Sequence, residues 1–233
     1  IRVSAMTASI LTVSPTTINK TLYHWEPADW EDYLVYRDDK TNNRMRLFFD
    51  FNRLLVINMG WEGINHATIN ELFTLIFGFW FLNKPEQIYS LLGGCLLEKP
   101  TRQAGAPDLV LYLGEDYPRW QEGEPRRIDL SQWRVPNLVG EVSDTTLATD
   151  LDEKKKLYAN MGIPEYWVIN VRGLQVIAFQ LQSNGIYQEC ATSLALEGLP
   201  IALLEETLAR LKEGTNGSAA SWFAQQIANV KIE

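Results

Sequence analysis

The chain has 233 residues, 46% of them hydrophobic and 21% charged, which suits one domain with a substantial core better than two. Its net charge of −8 argues against coating nucleic acid non-specifically, since phosphate contacts need Lys or Arg, although a local basic groove or a cation-offset acidic site remains open. Two cysteines without a CxxC spacing and two histidines exclude a disulfide framework and a Cys/His zinc site, and they fit a reducing, cytoplasmic setting.

The N-terminus has no charged region followed by an apolar stretch and a small-residue cleavage site, so no secretion signal is expected. Residues 1–22, rich in Ser, Thr and Ala, read as a peripheral arm. EPADWEDYLVYRDD follows, with Pro27 placed for a first helical turn and acids early, which predicts a short helix. RMRLFFDFNRLLVINMG gives two apolar runs about a turn at Asp50–Arg53, a hairpin. NHATINELFTLIFGFWFLN predicts a helix capped by Asn65 and packed deep against a sheet. Its run LFTLIFGFWFL at 72–82 has 11 residues and is too short to span a membrane.

Short strands are expected within 86–99, either side of Gly93–Gly94, and QAGAP at 103–107 has turn chemistry. A strand at 108–113 leads into a polar stretch at 114–135, read as a long surface loop. A strand at 137–143 precedes a helix at about 150–161, with Asp150 as N-cap and Glu153 three residues on, a capping-box spacing. Gly162 ends that helix. YWVINV, LQVIAFQL and GIYQEC follow as strands joined by hairpin turns, and two helices close the chain. The pattern is α/β to α+β, a mixed β-sheet flanked by helices.

Two acids stand out against this background. Asp108 heads the apolar run PDLVLYL, and Glu141 lies inside VPNLVGEVSD. A carboxylate within a buried strand is costly unless it is paired or holds a metal. Two carboxylates about 4 Å apart repel by roughly 4 kcal/mol at an effective dielectric near 20, and a cation between them reverses the sign. Carboxylate oxygens suit Mg²⁺ or Mn²⁺, which can help hydrolyse a phosphodiester by activating water and neutralising the transition state. Asp150, Lys154 and Tyr158 are spaced i, i+4, i+8 and share a helix face, which could look back at Glu141 or form a solvated surface with an Asp150–Lys154 ion pair. Asp108 could equally be a turn residue after Pro107, and Glu141 could pair with an arginine. Glu71, the one acid of the apolar helix, either completes the metal site or faces solvent. His66 suits capping or packing. Arg119, Arg126, Arg127 and Arg134, with Trp120 and Trp133 nearby, either meet phosphate or belong to a solvated loop. No phosphate-cradling GxxxxGK[ST], GxSxG or HExxH motif occurs.

The order PDLVLYL, PNLVGEVSD, DLDEKKKLYANMGIPEYWVIN resembles the Uma-two family of restriction-endonuclease-like proteins, in the PD-(D/E)XK nuclease superfamily. The likeness is close from 107 to 170 and looser from 27 to 83. It implies a PD-(D/E)XK core in a single domain at 27–200, after an arm at 1–26, with residues 201–233 as helices packed on or extending it. It also implies a metal-dependent deoxyribonuclease, DNA as substrate, Mg²⁺ or Mn²⁺ as cofactor, a homodimer and a cytoplasmic location. Asp108 and Glu141 match the two acids. The superfamily's usual lysine, two residues after the second acid, is Ser143 here, so Lys154 on the following helix matches the displaced lysine. Asp150 and Tyr158 match its neighbours. Asp144 departs from the usual pattern, as a further acid at the metal or a loop residue. A catalytically silent binding module on the same fold is the rival reading.

Overall fold

The structure is a computed structural model describing residues 22–39, 45–58 and 60–229. The expected arm at 1–21 lies outside them. In chain order the elements are β1 (Leu22–Pro27), α1 (Trp30–Asp38), β2 (Met45–Asp50), β3 (Arg53–Asn58), α2 (Ile64–Leu82), β4 (Tyr89–Leu92), β5 (Leu97–Lys99), β6 (Gln103–Gly105), β7 (Leu109–Leu113) and β8 (Ile128–Asp129). Then come β9 (Leu138–Ser143), α3 (Leu147–Leu151), α4 (Glu153–Met161), β10 (Glu165–Asn170), β11 (Gln175–Leu181), β12 (Tyr187–Cys190), α5 (Ile201–Ala209) and α6 (Asn216–Asn229).

Among the described residues the strands form two six-stranded sheets rather than one, in the orders β1-β3-β2-β6-β5-β8 and β12-β11-β10-β9-β7-β4. In the second sheet β7 runs antiparallel and β10 parallel to β9. Alternation along β7 and β9 sorts their side chains. Leu109, Leu111, Leu138 and Val142 pack with α2, α5 and α6. Val110, Tyr112 and Val139 face the other way and pack with Leu157, Tyr158 and Met161 of α4 and with Phe48 and Leu55 of the first sheet. A third cluster seals the far side of the first sheet with Tyr33 of α1. Residues 108 and 141 have the parity of Val110 and Val139, so their side chains point into the layer between the two sheets.

Local chemistry corrects several expectations. Residues 22–26, expected in the arm, belong to β1, which pairs with β3, and the Trp25 indole donates to Thr149 Oγ1 at 3.1 Å. Pro27 ends that strand instead of opening α1, whose cap is a reciprocal Asp29–Asp32 capping box. Gly63, not Asn65, caps α2. Gln103–Gly105, expected as a turn, is the buried strand β6, paired with β2 and β5. Gly162 does end α4, at φ 81°, a conformation that suits glycine. Gly140 lets β9 lie close against β7, since a Cβ there would stand 3.2 Å from Leu109 Cδ1.

Candidate active site

β7 and β9 bring the two acids face to face. Leu109 pairs with Gly140 and Val110 with Val139. Carried one residue further, that register sets Asp108 opposite Glu141, with both side chains on one face. The Val142 amide donates to Asp108 Oδ2 at 2.8 Å and pins the first carboxylate to the second strand. Both acids are buried, 2% and 1% exposed.

α4 supplies the cation. Asp150, Lys154 and Tyr158 form an inward face and are all buried. Lys154 Nζ stands 3.2 Å from Glu141 Oε2 and 2.8 Å from Asp150 Oδ1, and 4.2 Å from the centre of the Phe48 ring. The Tyr158 hydroxyl donates to Glu141 Oε1 at 2.5 Å. Asp150 is not the expected N-cap. The helical segment begins at Leu147, three residues early, and bends at Asp152, so Asp150 turns inward and accepts from Thr146 Oγ1 at 2.6 Å.

Two further basic groups come from elements not expected to reach the site. Arg46 of β2 makes a close ion pair with Asp108, and His66 Nε2 of α2 stands 3.4 Å from Asp108 Oδ1. His66 therefore faces an acid of the pocket instead of serving as a cap. Arg46 had a legible signal: β2 is apolar on both faces, so an arginine in it needs an acid partner.

Asp108, Glu141 and Lys154 border one cavity of about 280 Å³, walled by Arg46, Ile57, Asn58, the segment from Gly60 to Gly63, His66 and the turn from Asp144 to Thr146. Asp144 thus reaches the rim, where it pairs with Arg172 at 3.4 Å. Glu71 does not line the cavity and lies on the exposed face of α2. Ser143, on the same face of β9 as Glu141, is buried, and its hydroxyl has no hydrogen-bond partner among the described residues. Most of the loop arginines have structural partners. Arg127 pairs with the buried Glu98, Arg119 with the Tyr117 ring and hydroxyl, and Arg134 with Asn137 and the Leu113 carbonyl.

The electrostatics separate the two acids. Burial alone would raise the Asp108 carboxyl, but the His66 hydrogen bond and the Arg46 charge outweigh it and hold the group well below the usual carboxylate range. Glu141 is pushed up to about 7, chiefly by burial; Lys154 opposes the shift, and the nearby Asp108 and Asp150 charges add to it. Burial would lower the Lys154 amine, yet Glu141 and Asp150 raise it overall and keep it charged. The His66 imidazole is raised, first by its hydrogen bond to Asp108.

The donor chemistry, carboxylate oxygens only, is of the kind a magnesium-like ion takes. Glu141 is a buried carboxylate only partly compensated by protein charge, facing a second carboxylate across a polar cavity. Mg²⁺ takes one or two carboxylates and fills its remaining positions with water and phosphate, whereas Ca²⁺ wants more protein oxygens. Among the described residues no cluster of three or more His, Cys, Asp or Glu side chains that could hold a metal ion forms; the carboxylates that border the cavity's buried end are Asp108 and Glu141.

Residues 30–213 match the sequence model of the Uma2 family, described as "Putative restriction endonuclease". The chain belongs to this family. The Uma-two match spans Asp108, Glu141 and Lys154 together with Arg46 and His66. A solved structure described as a putative nuclease belonging to DUF820, from Anabaena variabilis, is similar, with a TM-score of 0.51 and 16% identity over 78% of this chain and 99% of that one. That likeness concerns the fold, which is restriction-endonuclease-like. No curated protein matches. No described helix is long and apolar enough to cross a membrane.

Proposed function

We propose that this Uma-two chain is a metal-dependent endonuclease that hydrolyses DNA phosphodiester bonds. The observation that carries the reading is the opposition of Asp108 and Glu141 across adjacent strands at a cavity that Lys154 also borders. Asp108 and Glu141 would hold Mg²⁺ or Mn²⁺. When bound, such an ion lowers the pKa of a water and neutralises charge on the phosphoryl oxygens.

The protein groups divide the remaining work. Lys154 favours the ionised form of Glu141 against its burial and places a fixed positive charge where a pentacovalent phosphate would build negative charge. Tyr158 and Asp150 position Glu141 and the Lys154 amine through their hydrogen bond and ion pair. Arg46 and His66 bring N–H donors to the same cavity, suited to non-bridging phosphate oxygens. Lys154 thereby takes from α4 the place that the superfamily commonly fills two residues after the second acid, where Ser143 stands.

The rival reading, a silent binding module, is favoured by one observation: each acid already has a protein cation, Arg46 on Asp108 and Lys154 on Glu141. A Mn²⁺ titration followed by electron paramagnetic resonance separates the two. The nuclease reading expects saturable binding that Asp108→Asn and Glu141→Gln each weaken strongly. Binding unchanged in both variants, or none in the native chain, would sink it.

A further inference from the structure

Two large apolar side chains stand out at the mouth of the acid cavity. Trp61 is 90% exposed and Ile64 is 85% exposed, more than any other large hydrophobic among the described residues. Trp61 borders the cavity directly, and Ile64 lies between Gly63 and His66, which also border it. Gly63 sets the segment close to the opposite rim, since a Cβ there would stand 3.5 Å from Asp144 Oδ2.

Scattered exposed apolar residues are ordinary, but a Trp and an Ile together at the entrance to buried acids mark a contact surface. The cavity dictates what passes that entrance. Asp108 and Glu141 are about 2% and 1% exposed, so a phosphate must enter the cavity to meet them, past the rim that carries Trp61. A strand that is unpaired at this rim would bring a base face beside Trp61. Ionic contact alone is a weak source of affinity here. The chain carries −8 overall, and Arg46, His66 and Lys154 are engaged with the acids. Aromatic stacking depends on neither charge nor base identity.

We propose that Trp61, flanked by Ile64, is a stacking platform for an unpaired nucleobase next to the scissile phosphate, so that the substrate is DNA that is single-stranded or distorted at the cut. The inference rests on the nuclease reading above and deepens it. Ile64 widens the platform as an aliphatic wedge of the kind that separates base steps.

The test uses the full chain carrying Asp108→Asn, so that bound DNA is not cut, with short oligonucleotides bearing one 2-aminopurine. Single strands are expected to bind more tightly than duplexes of the same sequence, with 2-aminopurine fluorescence quenched at one position. Trp61→Ala in that background should weaken single-strand binding roughly 5- to 150-fold and abolish the quench, while Trp61→Phe keeps most of both. Unchanged affinity in Trp61→Ala overturns the proposal, as does equal binding of duplex and single strand. A shift from dimer to monomer in sedimentation of Trp61→Ala, without loss of the quench, would overturn it too, by showing that a second copy covers the ring. Hydrolysis of the small diester bis(p-nitrophenyl) phosphate by the native chain tests the nuclease reading separately. A chain that binds and quenches as expected but never hydrolyses that diester in any metal loses the nuclease reading and keeps the platform, whereas no DNA binding at all overturns both.

Discussion

Replacing Lys154 with Met keeps the apolar stem and removes the charge. In the native chain that amine is the shared partner of Glu141 and Asp150, all three being about 2% exposed or less. Breaking a buried pair by deleting one partner costs about 3–5 kcal/mol, because the other charge stays behind in a poor solvent. The pH dependence has a definite sign. Glu141 sits near 7 in the folded chain, above its ordinary 4.5, so its contribution is fully favourable below about 4.5 and is lost as pH rises through about 7. Lys154 is the chief opposing influence on that shift, so its removal drives Glu141 higher still. The penalty of Lys154→Met should therefore be largest near pH 8 and shrink by roughly 1–2 kcal/mol at pH 5.5, where Glu141 takes up a proton. Urea denaturation at the two pH values reads this directly. Lys156→Met is the control: its ion pair with Asp152 has the same i,i+4 spacing but both side chains are more than half exposed, so a change within about 0.5 kcal/mol is expected. A Lys154→Met penalty below about 1 kcal/mol, or one that does not vary with pH, would refute the reasoning.

The remaining expectations concern the groups around this core. Arg46→Met removes a cation that depresses the Asp108 carboxyl, so that carboxyl should titrate at higher pH by carbon-detected NMR. Because a depressed acid stabilises above its ordinary 3.8 and loses that stability as pH falls, the variant should also lose less stability than the native chain between pH 5 and pH 2. Tyr158→Phe strands Glu141 Oε1 and should cost roughly 1–3 kcal/mol in urea melts at pH 8. Glu165→Ala removes the acceptor of the Trp167 indole, the Ser193 hydroxyl and the Leu194 and Ala195 amides. A loss of about 3 kcal/mol there should lower the thermal midpoint by roughly 6–12 °C in a chain of this size.

Much of the candidate site's make-up was legible because its signals are local. An acid heading or interrupting an apolar strand is a local anomaly, and Asp108 and Glu141 both show it. The i, i+4, i+8 spacing of Asp150, Lys154 and Tyr158 defines a face wherever the helix lies. Which way that face points was not legible, because the answer depends on Phe48 of β2 and on β6, strands of a second sheet distant in sequence. β6 itself was hidden by composition: Gly105 and Pro107 have turn chemistry, and only pairing with β2 and β5 makes Gln103–Gly105 a strand. The misplacement of Asp150 has a similar origin. An acid before a lysine-rich helix looks like a cap, whereas three earlier residues are already helical and rotate it into the core. Arg46 and His66 reach Asp108 only through tertiary packing, so spacing carried no trace of their convergence.

The central claim is tested most directly by incubating a nicked and gapped plasmid with the native chain and with Asp108→Asn, in Mg²⁺, in Mn²⁺ and in chelator. Cutting by the native chain in either metal, absent in chelator and lost in Asp108→Asn, is the predicted result. Cutting that persists in Asp108→Asn, or no cutting by the native chain in either metal, would contradict it.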